Sequence, residues 1–251
     1  MTTTQRINVL GAGSASHFVN PSTAHNTSFC RKTRPRLRQH LMRSVLSALC
    51  LCFLVCPPAF ADTKHASKTL YLTFDDGPSE RYTPKILDEL RAAHVHATFF
   101  VLGYRCDEFP QIVRRMHREG HELGNHGYLH EDVVSLSRSC LQRDVLRTDH
   151  SIYRASGVIP TFYRPPGGHI DNQERKLILQ MGHPIRMWTV DSFDWKARST
   201  QDIDQALADK IRPQAVILFH DGVSGSRYTA EILPKLLSRW KSAGYAFGTL
   251  K

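Results

Sequence analysis

From residue 68 onward the chain alternates β-rich runs with amphipathic stretches, and no other feature restricts the possible folds as much. The β-rich runs are TLYLTFDD, ATFFVLG, HELGNHG, TFYRPPGG, IRMWTVD, AVILFHDG and AFGTL, most of them closing on polar or glycine residues. Helical patterns with start signals lie between them. Thr83-Pro84 precedes Ile86, Leu87 and Leu90, and Pro110 precedes Ile112, Val113 and Met116 with Gly120 as the stop. Further helices are expected over 137–155, 171–181, 200–211 and 229–243, the last carrying Ile232, Leu236, Leu237 and Trp240 as a core-facing stripe. Strands this apolar have no face to give to water, so they predict a parallel sheet covered by helices. Seven such runs predict one α/β barrel domain.

In barrels of this kind the functional groups stand at the carboxyl ends of the strands. There the sequence places Asp75-Asp76, His126, Arg164, Asp191, Asp194 and His220. The segment GNHGYLHED spaces His126 and His130 so that one helical turn or a tight loop brings both imidazoles to one side. Two histidines and one carboxylate form a recurring zinc set with a position left open for water. The spacing alone is weak evidence in a chain with 14 histidines. Asp76 strengthens it by offering the third ligand. Neighbouring strand residues project to opposite sides, so Asp76 can bind an ion while Asp75 stays free to take a proton from the ion's water. The competing account of DDGP is a turn with an Asx cap, and a single strand-end histidine is more often structural than catalytic.

The order TFDDGPS, HxxxH, RPPGG, DSFDW and LFH resembles the polysaccharide deacetylases of carbohydrate esterase family 4, the NodB-homology domain. The resemblance covers roughly residues 68–251. It implies a distorted (β/α)7-type barrel, a divalent metal with zinc preferred, and removal of acetyl groups from N-acetylated or O-acetylated sugars. Position by position it implies Asp75 as catalytic base and Asp76, His126 and His130 as metal ligands. Arg164 is then the arginine that tethers the base, and the Gly167 N–H the oxyanion donor. His220 is the general acid, with Asp194 raising its pKa. Leu218 and Trp195 line the acetyl-methyl pocket, although both also suit a core. Two departures stand out: Gly127 occupies a position where the family usually has Ser or Thr, and Gly167 one where an aromatic is common. Both bear on substrate preference more than on activity.

The expected substrate is an acetylated polysaccharide or oligosaccharide, with N-acetylglucosamine units of peptidoglycan or chito-oligosaccharide ahead of O-acetyl xylan. From another chemistry, a non-haem iron oxygenase also uses two His and one carboxylate. It has no use for a second Asp, a tethering arginine or a general-acid His. A catalytically idle sugar-binding barrel predicts losses among base, ligands and acid, and the sequence has none.

The formal charge of +10 suggests a polyanion partner only until it is mapped along the chain. Residues 1–61 hold seven Lys/Arg and no acid, leaving 26 basic against 23 acidic side chains in the rest, so nucleic acid is not an expected partner. That first segment reads as targeting. Arg38 and Arg43 precede SVLSALCLCFLVCPPAFA, which ends in the small-x-small Ala59-Phe60-Ala61. The apolar run stops at Pro57-Pro58, short of the roughly 20 residues of a membrane span. A signal peptide over about 42–61, with Met42 as a possible true start, is expected to be cleaved after Ala61. An organelle transit peptide and an uncleaved anchor are the alternatives. The domain over 62–251 is then an exported monomer, periplasmic or extracellular, with no membrane span after processing. INVLGAGSAS imitates a dinucleotide fingerprint but opens no strand–helix unit. Of the cysteines only Cys106 and Cys140 lie beyond the targeting segment, and whether they pair is left open.

Overall fold

A computed structural model describes residues 68–251. The expected targeting segment and its cleavage site lie outside these residues. Six parallel strands form the sheet: β1 (Thr69–Asp75), β2 (Thr98–Val101), β3 (Glu122–Asn125), β4 (Val190–Asp191), β5 (Val216–His220) and β6 (Ala246–Gly248). Their order is β3-β2-β1-β5-β4. β1 is central. On one side it meets β5 along Tyr71–Asp75, and on the other β6 along Thr69–Tyr71 and then β2 along Thr73–Asp75.

Alternation along β1 divides its side chains between two environments. Leu70, Leu72 and Phe74 face the helices and are fully buried, while Tyr71 packs with Phe100, Phe162 and Leu250 inside the barrel. Phe74, Phe99 and Phe219 are register neighbours on β1, β2 and β5, stacked with centroids 5.0 and 5.6 Å apart. Helices α1 (Thr83–Ala92), α3 (Pro110–Arg118), α6 (Thr200–Leu207) and α7 (Ser226–Ser242) supply the apolar residues that cover this row. Trp240 and Leu236 are core, as their spacing predicts. The long α4 (Arg138–Ser156) starts on Ser137, which accepts the Cys140 N–H, and ends on Gly157 in the left-handed conformation. α5 (Asn172–Gln180) packs against it.

Two of the expected strands are corrected. TFYRPPGG contributes only Tyr163, which makes isolated bridges to Asn125 and Ile185. Prolines 165 and 166 have no N–H for a ladder, and Gly167 turns to φ +65°. IRMWTVD is broken in the middle: Ile185 bridges to Tyr163, while Val190–Asp191 pair with β5. The barrel is therefore distorted and not closed. The carbonyls of Arg186 and Met187, which would continue the ladder, accept instead from the Arg164 guanidinium. α2 (Gly103–Glu108) was not expected, because only Gly103 and Cys106 of it are buried and it shows no apolar period. Cys106 and Cys140 are both free thiols, the first buried and the second part-exposed. Among the described residues no helix is long and apolar enough to cross a membrane.

Replacing Phe74 by Ala empties the middle of the three-ring row, a change that typically costs about 3–5 kcal/mol. Urea unfolding of the full chain measures it. A loss below about 1 kcal/mol would mean that the row collapses onto the gap and is not the centre of the core.

Candidate active site

Asp75 closes β1 with its side chain inside the barrel, 2 % exposed. Arg164 meets it there, donating from one terminal nitrogen to Asp75 Oδ1 at 2.7 Å and to Thr73 Oγ1 at 2.8 Å. Its Nε donates to the Arg186 carbonyl at 2.8 Å and its other terminal nitrogen to the Met187 carbonyl at 3.2 Å. The guanidinium lies 4.0 Å from the Phe100 ring and is completely buried. Burial pushes its pKa down and Asp75 pushes it back, so the guanidinium keeps its charge. A fork held at every nitrogen cannot rotate, and Asp75 is fixed with it.

Asp76 breaks the alternation expected of neighbouring strand residues. Its φ of +70° ends the strand, and its carboxyl enters the same cleft as that of Asp75, the two lying 3.3 and 3.8 Å from His126 Nε2. Asp76 Oδ1 lies 3.3 Å from Nε2 of both His126 and His130. The two histidines reach it from the loop after β3, the tight-loop alternative of the sequence reading, with φ +79° at Gly127 and +61° at His130. His126 Nδ1 is 2.8 Å from the Arg164 carbonyl. A carbonyl only accepts, so Nδ1 carries a proton and Nε2 is the nitrogen that would bind an ion. The loop is held by Asn125 Oδ1, which accepts the Gly127 N–H at 2.8 Å, and by Asp144, which accepts the Tyr128 N–H at 3.0 Å. A Cβ at Gly127 would stand 3.0 Å from Asp144 Oδ2, so this carboxylate fills the space that a side chain at 127 would take.

These three ligand atoms lie within 4.8 Å of one another. Asp76 Oδ1 is buried and has no hydrogen-bond partner, an arrangement that costs free energy unless a cation or donor meets it. Burial pushes the Asp76 carboxyl up, but the positive charge that nearby His126, His220 and His130 carry when protonated outweighs it and brings the pKa to about 2. An ionised oxygen flanked by two imidazole nitrogens suits a borderline divalent cation such as zinc.

Across the cleft, His220 ends β5 as the register partner of Asp75. Its Nδ1 is 2.7 Å from Asp194 Oδ1, while Asp194 Oδ2 accepts the His220 N–H at 2.7 Å and the Thr229 hydroxyl at 2.5 Å. Burial lowers the His220 pKa, but the Asp194 hydrogen bond and the charges of Asp194, Asp75 and Asp76 raise it to about 9. The cleft itself measures about 450 Å³, and Gly167, Leu218 and the half-exposed Trp195 line it together with the histidines and Asp75-Asp76. All the residues singled out from the sequence thus gather at one end of the barrel. Trp188 was missed. It also lines the cleft, and its ring packs where a Cβ at Gly168 would come within 2.7 Å. Its position in the broken strand left no alternation pattern to flag it. A Cβ at Gly167 would meet the His169 ring only at an ordinary 3.8 Å, yet its φ of +65° would strain any other residue.

The family model for polysaccharide deacetylase matches residues 62–186. A peptidoglycan-N-acetylglucosamine deacetylase of Bacillus cereus is 37 % identical over 180 residues, which are 71 % of this chain and 66 % of that protein. The peptidoglycan-N-acetylmuramic acid deacetylase PdaA of Bacillus subtilis is 34 % identical over 187 residues, 73 % of this chain and 70 % of the relative. Coverage of relatives varies, falling to 38 % of the length of PgdA of Listeria monocytogenes. Among solved structures, the Bc1960 peptidoglycan N-acetylglucosamine deacetylase superposes with a TM-score of 0.71 at 36 % identity, covering 73 % of this chain and 86 % of that one. Motif order, parallel α/β fold and these likenesses agree: the chain belongs to the polysaccharide deacetylases of carbohydrate esterase family 4 and carries the NodB-homology domain.

Proposed function

We propose that this chain is a metal-dependent hydrolase that removes N-acetyl groups from N-acetylglucosamine units of a polysaccharide or oligosaccharide, peptidoglycan or chito-oligosaccharide first. One observation carries the reading. A carboxylate tethered by a buried arginine stands beside the Asp76/His126/His130 cluster without joining it, and a His220–Asp194 pair faces it across the same cleft. An oxygenase has no task for either pair. The relatives named above are peptidoglycan deacetylases by name, which supports the substrate class.

Asp76, His126 and His130 would hold the ion, which supplies a polarised acyl carbonyl and a more acidic water, and zinc is our choice for it. Asp75 takes the proton of the attacking water, and Arg164 keeps its second oxygen engaged so that the free one, Oδ2, faces the His126 side at 3.8 Å. The Gly167 N–H donates to the oxygen that gains charge during attack, a contact of a type worth about 3–4 kcal/mol. His220 gives its proton to the departing sugar nitrogen, which leaves as a free amine. Leu218 and Trp195 enclose the acetyl methyl. A proton from His220 is essential for an amine leaving group and matters less for activated esters, whose leaving groups depart without one. We also propose that the chain is exported through the segment ending at Ala61 and works as a monomer outside the cytoplasm.

Asp75→Asn should lower acetate release from chito-oligosaccharide by at least about a thousandfold while one zinc per chain remains bound. Retained turnover, or loss of the metal along with activity, would refute the base assignment. A second outcome concerns His220, whose unfolded pKa is near 6.5 and whose folded pKa is about 9. Its pairing therefore stabilises the fold in full below pH 6.5, and that contribution disappears as pH rises through 9. NMR titration of the ring should report the high value, and Asp194→Asn should bring it down, moving the alkaline fall of kcat to lower pH. An unchanged titration in Asp194→Asn would remove Asp194 from its role.

A further inference from the structure

The cleft holds one more carboxylate, for which the steps above have no task. Asp191 is the last residue of β4 and the register partner of Leu218 on β5, whose own partner on β1 is Thr73. Register partners in a parallel sheet project to the same face. Asp191 therefore stands beside Leu218, two residues below the level of Asp75 and His220, and both line the cleft. Its Oδ1 accepts the Phe193 N–H at 2.7 Å, which fixes the carboxylate plane. Among the described residues its other oxygen has no protein partner and is not a sealed buried atom.

Resting on the deacetylase reading, we propose that Asp191 selects the acyl group. The side of the acyl pocket formed by Leu218 is apolar, whereas the side formed by Asp191 is an acceptor. Acetyl, with its single methyl, leaves the free oxygen open to solvent. A longer acyl group shuts solvent out, and what replaces it decides the outcome. Glycolyl and propionyl are nearly equal in size and differ by a hydroxyl against a methyl. The glycolyl hydroxyl donates to the free Asp191 oxygen; the propionyl methyl strips it of water and gives nothing back. The site thus admits N-glycolyl as well as N-acetyl amino sugars and refuses N-propionyl ones. Hydrolysis of the glycolyl amide breaks its C–N bond, forms a C–O bond to the water oxygen, and releases glycolate and the free amine. The proton path through Asp75 and His220 is unchanged.

The test uses the zinc-loaded full chain and one chitosan oligomer acylated in parallel with acetyl, glycolyl or propionyl groups, comparing kcat/KM. Glycolyl should exceed propionyl by at least about thirtyfold, the scale expected when a polar group is matched or left unmatched. Asp191→Asn keeps an oxygen for the Phe193 N–H and removes the charge, so the ratio should fall about tenfold. Asp191→Leu should bring propionyl level with glycolyl or above it. Wild-type rates on glycolyl and propionyl within threefold of each other, with acetyl turned over, would overturn the proposal alone. So would a ratio that Asp191→Asn leaves unchanged. Absence of turnover on all three acyl groups would overturn the deacetylase reading and take this proposal with it.

Discussion

The contact between Arg164 and Asp75 governs both the shape of the barrel and the chemistry at its mouth. A buried ion pair is weak evidence for stability, since removing two charges from water costs about as much as their attraction returns. Its value here lies in what else the arginine holds. Nε and one terminal nitrogen occupy the carbonyls of Arg186 and Met187, where the strand ladder fails, and the other terminal nitrogen spans Thr73 and Asp75. The carbonyl of the same residue receives His126 Nδ1–H and so sets which imidazole nitrogen faces Asp76. The filling of the gap in the ladder, base orientation and the proton on His126 Nδ1 therefore depend on one side chain and its own peptide group.

The loops around this contact are assembled by close approach rather than by length. Asp76 and His130, two of the three ligand candidates, both sit at positive φ, a conformation that non-glycine residues adopt at a cost. A Cβ at Gly222 would lie 2.0 Å from the Asp76 carbonyl oxygen, and one at Gly77 would meet the Asp221 carboxylate at 2.1 Å. The turns after β1 and β5 thus press directly on each other. Asp221, wholly enclosed, accepts the Thr83 hydroxyl at 2.5 Å; burial and the charges of Asp76 and Asp75 raise its pKa to about 7 despite that bond. Strain in the ligand loop is held in place by this packing and by the Asn125 and Asp144 bonds of the histidine loop.

Much of this was legible in the residues, and the gaps have physical causes. β1, β2 and β5 were readable because strands buried on both faces are largely apolar, and their ends were readable because polar groups there need a reason. The helices with a clear apolar period were readable too, whereas α2 turns only once and a half and buries two residues, so its sequence carries no such signal. TFYRPPGG and IRMWTVD have strand-like composition, but their backbone partners are replaced by a guanidinium, and composition does not report which donor a carbonyl will meet. Gly127 illustrates the same limit. The sequence showed only the missing Ser or Thr side chain, while the fold brings Asp144 from α4 into the space, a partner 17 residues away. Trp188 escaped notice because it lies in the broken strand, where neither period applies.

The central claim is that Asp76, His126 and His130 gather one divalent ion while Asp75 stays outside the ligand set and within reach of its water. Zinc titrated into chelator-stripped protein, with bound metal and acetate release followed in the same samples, tests it most directly. The account predicts acetate release that rises in proportion to bound zinc and saturates at one ion per chain. Undiminished release from protein with no detectable metal, or one ion bound with no release at any acetylated sugar, would contradict it.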